Sequence, residues 1–113
     1  MSELPHQMYC TWLHSFEEDD GDIEVYRPDG YDFPPARRPR AGVEFGPGGL
    51  FADLTPGPDD RPERRAGRWD CNDMASEIYV TREFDMAPTE TLEIVEASDR
   101  ILRIRRGGAP GMW

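Results

Sequence analysis

The chain has 113 residues, of which 37% are hydrophobic and 32% are charged, and its formal net charge is −10 at pH 7. This length suits one domain with a single modest core and leaves little apolar surface for a wide external binding face. Because such an acidic surface repels nucleic acid and anionic membranes, we expect neither as a partner.

The first predicted strand covers residues 9–16, where apolar and polar side chains alternate. Trp12 and His14 stand two residues apart on it, so both side chains should project from the same face. An acidic run at 17–22 follows as a turn. Strict alternation over 22–27 then predicts a second strand, antiparallel to the first.

The segment 28–40 holds four prolines, which remove strand hydrogen-bond donors and fix φ. It is therefore predicted as an ordered loop. Its two aromatic residues, Tyr31 and Phe33, are expected to leave water. We predict that the loop folds over one end of the core as a lid.

The rest of the chain repeats short alternating segments separated by turn signals, such as the glycine-rich stretch 46–49. Further strands are predicted at 42–45, 50–54, 65–71, 77–83, 91–96 and 101–105. Residues 107–113 are expected to form a frayed tail. With no convincing helix, the pattern predicts a single all-β domain over residues 1–113, either a sandwich or a barrel.

An eight-stranded antiparallel up-and-down barrel is the preferred prediction, with the sandwich as the alternative. Consecutive strands are compatible with antiparallel pairing, so the sheet can close on itself and leave no exposed edge. Eight strands also enclose about enough space for side chains and one small ligand.

Tryptophans on the first and fifth predicted strands make the chain similar to a known family of barrels. Trp12 lies on the first strand, with Cys10 two residues before it, and Gly67 and Trp69 form a Gly-x-Trp on the fifth strand. In these features the chain resembles small bacterial lipocalin-like (calycin-type) barrels, which often have Gly where this chain has Cys10. The resemblance implies that Trp12 packs across the barrel base against a last-strand arginine, either Arg103 or Arg105.

His14 is the first candidate for chemistry, because a neutral imidazole facing a barrel interior could act as a general acid or base. Tyr26, Tyr79 and Glu24 are polar strand residues that could share its cavity and support proton transfer on a carbonyl or phenol substrate. The alternative is a rim histidine that is simply satisfied by a carboxylate or a backbone carbonyl.

The acidic run from Glu17 to Asp22 invites a calcium interpretation, but it lacks the ligand spacing of a twelve-residue calcium loop. We predict instead that it pairs with the arginine-rich segments 37–40 and 61–68, and that the protein holds no metal and no cofactor. Cys10 and Cys71 are expected to be reduced core residues of a cytoplasmic protein, since nothing at the N-terminus resembles a signal peptide.

Three functional hypotheses remain open. The first is non-catalytic binding of an apolar or aromatic small molecule inside the barrel. The ligand-contacting residues would be Trp12, His14, Tyr26, Phe33, Trp69, Tyr79, Arg82 and Arg103. The second is a small cofactor-free enzyme of bacterial metabolism (a cyclase, isomerase or lyase).

In the enzyme, His14 would be the acid–base residue, Tyr26 or Tyr79 would orient the substrate, and Arg82 or Arg103 would stabilise negative charge. The third hypothesis is a partner-binding or structural protein with a filled barrel. A homodimer is compatible with all three hypotheses.

Overall fold

The computed structural model describes residues 3–37, 39–57 and 62–108. These residues form eight strands and two single-turn 3₁₀ helices. The strands are β1 (Thr11–His14), β2 (Ile23–Pro28), β3 (Gly42–Gly46), β4 (Leu50–Pro56), β5 (Pro62–Cys71), β6 (Glu77–Arg82), β7 (Glu90–Ala97) and β8 (Leu102–Gly107). The 3₁₀ helices are His6–Met8 and Phe16–Glu18. In the part of the chain that is described, no helix is long and apolar enough to cross a membrane.

The strands close into one antiparallel barrel, which confirms the predicted fold class. Around the barrel the order is β1-β2-β8-β7-β6-β5-β4-β3, and β3 pairs with β1 to complete the ring. Every neighbouring pair is antiparallel. We call the end at which β1, β4, β6 and β8 finish the upper end of the barrel, and the opposite end the lower end.

One connection departs from hairpin pairing. Because β1 lies between β2 and β3 and is antiparallel to both, β2 and β3 run in the same direction. The segment 29–41 must therefore cross β1 from the lower end to the upper end. Its two ends are tied to β1, since Asp29 N donates to Thr11 O at 3.1 Å and His14 N donates to Ala41 O at 2.7 Å.

The predicted lid is thus a strap along the side of the barrel, and the expectation that it covers one end of the core is wrong. Its aromatic rings are used within the strap, where Tyr31 and Phe33 contact edge to face with centroids 5.0 Å apart. Arg27 stacks over Tyr31 and Arg40 stacks over Phe33, at 4.8 Å and 4.5 Å from the ring centroids.

The barrel interior is filled by large apolar side chains from all around the ring. Strand alternation directs every second residue inward, and these positions form one cluster. Its fully enclosed members include Trp12, Phe45, Val43, Ile78, Val80, Leu92, Leu102 and Ile104. Each such side chain contributes about 1.5–3 kcal/mol through its removal from water. The N-terminal segment seals the lower end, with Met8 buried and its carbonyl accepting a hydrogen bond from Trp12 Nε1 at 3.1 Å.

The packing of Trp12 against Arg103 or Arg105 is a prediction that the structure contradicts. Leu102 and Ile104 are the inward-facing residues of β8, and the two arginines alternate with them. Arg103 and Arg105 therefore face outward, where both bond carboxylates at the barrel surface.

Candidate functional site

The upper end of the barrel carries an inward-facing layer of charged residues. On several strands, the inward-facing residue nearest the upper end is charged, whereas the inward-facing residues further down the same strand are apolar. We call this layer, together with one buried phenol, the rim network, and its members are Glu24, Tyr26, Asp53, Arg82, Glu90 and Arg106.

Arg106 is the centre of the rim network. Its Nε donates to Glu24 Oε1 at 2.8 Å, and its Nη2 donates to the Tyr26 hydroxyl at 2.8 Å. Its Nη1 reaches both carboxylate oxygens of Glu90, at 2.9 and 3.0 Å. The Tyr26 hydroxyl in turn donates to Glu24 Oε1 at 2.8 Å. One guanidinium thereby joins three adjacent strands: β2, β8 and β7.

Arg82 extends the rim network to the other side of the barrel mouth. Its Nη2 donates to Glu90 Oε1 at 2.8 Å and its Nε donates to Asp53 Oδ2 at 2.7 Å. No buried side-chain nitrogen or oxygen among the described residues lacks a hydrogen-bond partner. Both arginines of the network already bond two carboxylates each, which suits a structural role better than capture of a ligand.

The protonation states within this network follow from the contacts. Burial alone would raise the pKa of Glu24, but hydrogen bonds from Arg106 and Tyr26 hold that pKa below its ordinary value. Burial raises the pKa of the Tyr26 phenol. Glu24 is therefore a carboxylate and Tyr26 a neutral phenol at neutral pH, so Tyr26 is a hydrogen-bond donor there and not a base.

His14 lies at the boundary between the rim network and solvent. Its ring stacks on Tyr26 with centroids 5.0 Å apart and an interplanar angle of 25°. His14 Nε2 lies 2.9 Å from Asp19 Oδ2. Asp19 is held in turn by the Val25 amide, which donates to its Oδ1 at 2.9 Å. The imidazole is thus fixed by a ring on one side and a carboxylate at its edge.

A groove of about 390 Å³ opens beside His14, between the Phe16–Glu18 turn and the end of the strap. We call it the His14 groove, and the described residues that line it are His14, Phe16, Ala36, Arg37, Pro39, Arg40 and Ala41. Arg40 forms a fixed part of its wall, because it bonds Glu17 at 2.6 Å and the His14 carbonyl at 3.0 Å. Its guanidinium also stacks over Phe16 at 4.8 Å.

The acidic run pairs with arginines, as predicted, although only partly with the predicted ones. Glu17 bonds Arg40, whereas Glu18 bonds Arg27 at 2.7 Å on β2. Hydrogen bonds from Arg27 and Ser15 lower the pKa of Glu18 to about 2. Within the described residues, no three His, Cys, Asp or Glu side chains are arranged to hold a metal ion. Of the predicted arginine segments, residues 38 and 61 lie outside the described ranges.

The structure brings only part of the predicted ligand set together. His14 and Tyr26 are in contact, and Arg82 belongs to the same rim layer. The other predicted residues lie elsewhere. Trp12 and Trp69 belong to the core, Tyr79 and Arg103 face outward on β6 and β8, and Phe33 lies on the strap. Tyr79 donates instead to its strand neighbour Glu77.

Three residues of the rim network escaped the sequence analysis: Asp53, Glu90 and Arg106. A signal existed for each, because a charged residue stands two positions from a buried apolar one on its own strand. What the alternation does not reveal is that these positions meet, since that depends on the order of strands around the barrel.

A larger groove of about 580 Å³ lies on the barrel wall toward the lower end, between Tyr9, Arg68 and Trp69 among others. The Trp69 indole N–H is already bonded to Gly46 O at 2.8 Å. Although His6 lines this groove, no described carboxylate bonds it as Asp19 bonds His14, so the His14 groove is the better candidate site.

No protein-family model, curated protein or solved structure matches this chain. The closed eight-stranded barrel is consistent with a lipocalin-like fold. Function has to be argued from the geometry of the site.

Proposed function

We propose that the protein binds a small molecule with an apolar or aromatic body in the His14 groove. The observation that carries this proposal is the groove itself, which is about 390 Å³ in volume and has an ordered imidazole in an otherwise largely apolar wall. Small-molecule sites generally span about 300–1,000 Å³ and combine apolar walls with a few polar groups.

The wall of the His14 groove divides into two chemical parts. Phe16 is half exposed and offers its ring beside Pro39 and Ala41. Arg37 also lines the groove, and it makes no ion pair with any described residue. An unpaired guanidinium at the edge of an apolar surface favours a carboxylate. We therefore propose an aromatic or aliphatic carboxylate as the ligand class.

This proposal places the ligand outside the barrel, whereas the sequence suggested its interior. The core side chains occupy the interior, and the His14 groove uses the strap and the β1–β2 turn instead. We propose that the protein is a lipocalin-like barrel that binds its ligand at the upper rim and not inside the barrel. A cytoplasmic location, with Cys10 as a free thiol, fits this proposal.

Benzoate should bind more tightly than benzyl alcohol, and benzylamine should bind weakest, because the three probes share a ring but differ in charge. A ¹H–¹⁵N NMR titration would measure the affinities and locate the perturbed amides. Phe16→Ala should weaken benzoate binding about tenfold, since it removes the largest apolar contact in the groove. Phe84→Ala is the matched control, because Phe84 is an exposed ring outside the groove.

Two results would count against the binding proposal. One is a set of perturbed amides that excludes residues 14–17 and 36–41. The other is equal loss of benzoate affinity in Phe16→Ala and Phe84→Ala, which would indicate unspecific contact with exposed rings.

A second candidate function, acid–base catalysis, is favoured by the His14–Asp19 pair. A carboxylate at Nε2 fixes the orientation of the imidazole, and the other ring nitrogen would exchange a proton with the substrate. Tyr79 is too remote to share this role, so the catalytic set would be His14 and Asp19, with Tyr26 beneath the ring.

Keto–enol conversion of phenylpyruvate tests the catalytic candidate, because this probe combines an aromatic ring, a carboxylate and an exchangeable proton next to a carbonyl. If His14 is the acid–base group, His14→Gln should slow the conversion by about 10²-fold or more. Benzoate affinity should stay within a few fold. Equal rates for the wild type and His14→Gln, followed by the absorbance of the enol, would exclude the catalytic role and leave binding alone.

A further inference from the structure

The β6–β7 loop presents two large apolar side chains to solvent. Phe84 is 94% exposed and Met86 fully exposed. The backbone of Phe84 has a φ of +73°, a left-handed conformation that is unfavourable for an L-residue and rare for bulky side chains. Within the described part of the chain no packing contact offsets this unfavourable conformation, since the Phe84 ring is almost entirely in solvent.

Two shallow grooves flank Phe84. The larger has a volume of about 270 Å³, and its lining includes Ala66, Arg68, Thr81 and Asp85. The other has a volume of about 220 Å³, and its lining includes Arg65. A cavity of about 150 Å³ is enough to hold benzene, so the larger groove has room for a phenyl ring. An aromatic projection and a recess that could receive it thus occur on the same surface.

The same surface carries unpaired charges of both signs. Arg65 and Arg68 are on β5, and Glu83 and Asp85 are on the neighbouring loop. None of these four side chains makes an ion pair with any described residue. Seven other described arginines bond carboxylates, namely Arg27, Arg40, Arg64, Arg82, Arg103, Arg105 and Arg106, whereas Arg37 and Arg100 make no ion pair with a described residue.

We propose that this surface, residues 65–68 and 81–86, is the interface of a two-fold symmetric homodimer. A two-fold interface must be self-complementary, with each patch supplying both halves of every contact. Here Phe84 of each protomer would enter the groove between Ala66 and Thr81 of the other, and Arg68 of each would pair with Asp85 of the other. We call this patch the Phe84 surface.

The electrostatics set the strength of such a dimer. Two chains of net charge −10 repel each other, so association depends on this local pairing of opposite charges. The patch is small, which places the dimer in the weak class that buries less than about 1,200 Å² in total. No residue of the Phe84 surface lines the His14 groove, so a test that disproves the dimer does not bear on the proposed ligand site, and the reverse also holds.

Sedimentation velocity of the full chain over a concentration series tests the proposal. The wild type should move from a 12.9 kDa species toward twice that mass as concentration rises. Phe84→Ser should raise the dimer dissociation constant at least about tenfold, because central aromatic residues dominate such interfaces. Met74→Ser is the matched control, since Met74 is 84% exposed but lies on the turn at the lower end. Its dissociation constant should equal that of the wild type.

A charge exchange examines the pairing itself. Arg68→Glu and Asp85→Arg should each weaken the dimer, and the double variant should restore it, because the same pair then forms with its signs reversed. A wild type that remains at 12.9 kDa throughout would overturn the proposal. So would equal weakening by Phe84→Ser and Met74→Ser, or a double variant weaker than both single ones.

Discussion

Replacing Arg106 with leucine should lower the free energy of unfolding by about 2–3 kcal/mol. The substitution removes the bonds that Arg106 makes to Glu24, Tyr26 and Glu90, which leaves Glu24 without a cation and Glu90 with Arg82 alone. Removing one partner from a fully buried pair costs about 3–5 kcal/mol, and Arg106 is 30% exposed, which reduces the cost. Urea unfolding at pH 7 measures the difference.

Arg105→Leu is the control for this experiment. Arg105 is the preceding residue on β8, but it faces outward, is 40% exposed, and pairs with the exposed carboxylates of Asp22 and Glu93. Exposed surface pairs of this kind contribute little to stability, because solvent and salt screen them. If the two leucine variants lose the same stability, the inward position of Arg106 is of no consequence and the rim network does not stabilise the barrel.

The pH dependence provides a second readout of the same variant. In the wild type, the lowered pKa of Glu24 gives a stabilising contribution that is complete at neutral pH and is lost as the pH falls through that pKa. In Arg106→Leu, Glu24 is still partly buried but has lost its cation. Protonation of Glu24 removes this unpaired charge and so stabilises the variant. The stability difference between the two proteins should therefore narrow as the pH falls from 7 to about 4.

The strands could be predicted because their signals are local. Alternation and turn residues place β3 and β6 within one residue of their observed ends. The predicted first strand at 9–16 shortens to Thr11–His14, because the chain turns into 3₁₀ helices on both sides. β4 and β5 are longer than predicted, with Pro56 paired opposite Pro62. Proline was interpreted as a strand terminator, yet at a hairpin end it is tolerated.

The strap and the rim network could not be predicted, because both depend on contacts between segments distant in sequence. The sequence of residues 28–40 is compatible both with a connection between paired strands and with a segment that crosses another strand. The second is observed because β1 lies between β2 and β3 in the barrel. The contact between His14 and Tyr26 was foreseeable from alternation on two paired strands. The convergence of Glu24, Glu90 and Arg106 required knowing that β2, β8 and β7 are neighbours.

Gly42→Ala should cost about 3 kcal/mol of stability, because it acts at the seam where β3 closes the ring against β1. A Cβ on Gly42 would overlap the backbone carbonyl oxygen of Trp12 and lie 3.0 Å from Leu13 Cδ2. The carbonyl belongs to a strand held on both sides, so it cannot move aside without breaking strand pairing. Thermal unfolding followed by near-ultraviolet circular dichroism would measure the loss and report on Trp12.

Gly107→Ala is the matched control, since Gly107 is also a strand glycine and a Cβ there would find its nearest atoms at 3.9 and 4.0 Å, an ordinary contact distance. Alanine at such a position reduces the entropy of the unfolded chain and should be neutral or stabilise by up to about 1 kcal/mol. Equal melting temperatures for the two variants would mean that β1 and β3 do not approach as closely as the closed ring requires. A large loss of stability in Gly42→Ala but not in Gly107→Ala would show that the barrel can close between β1 and β3 only if residue 42 has no side chain.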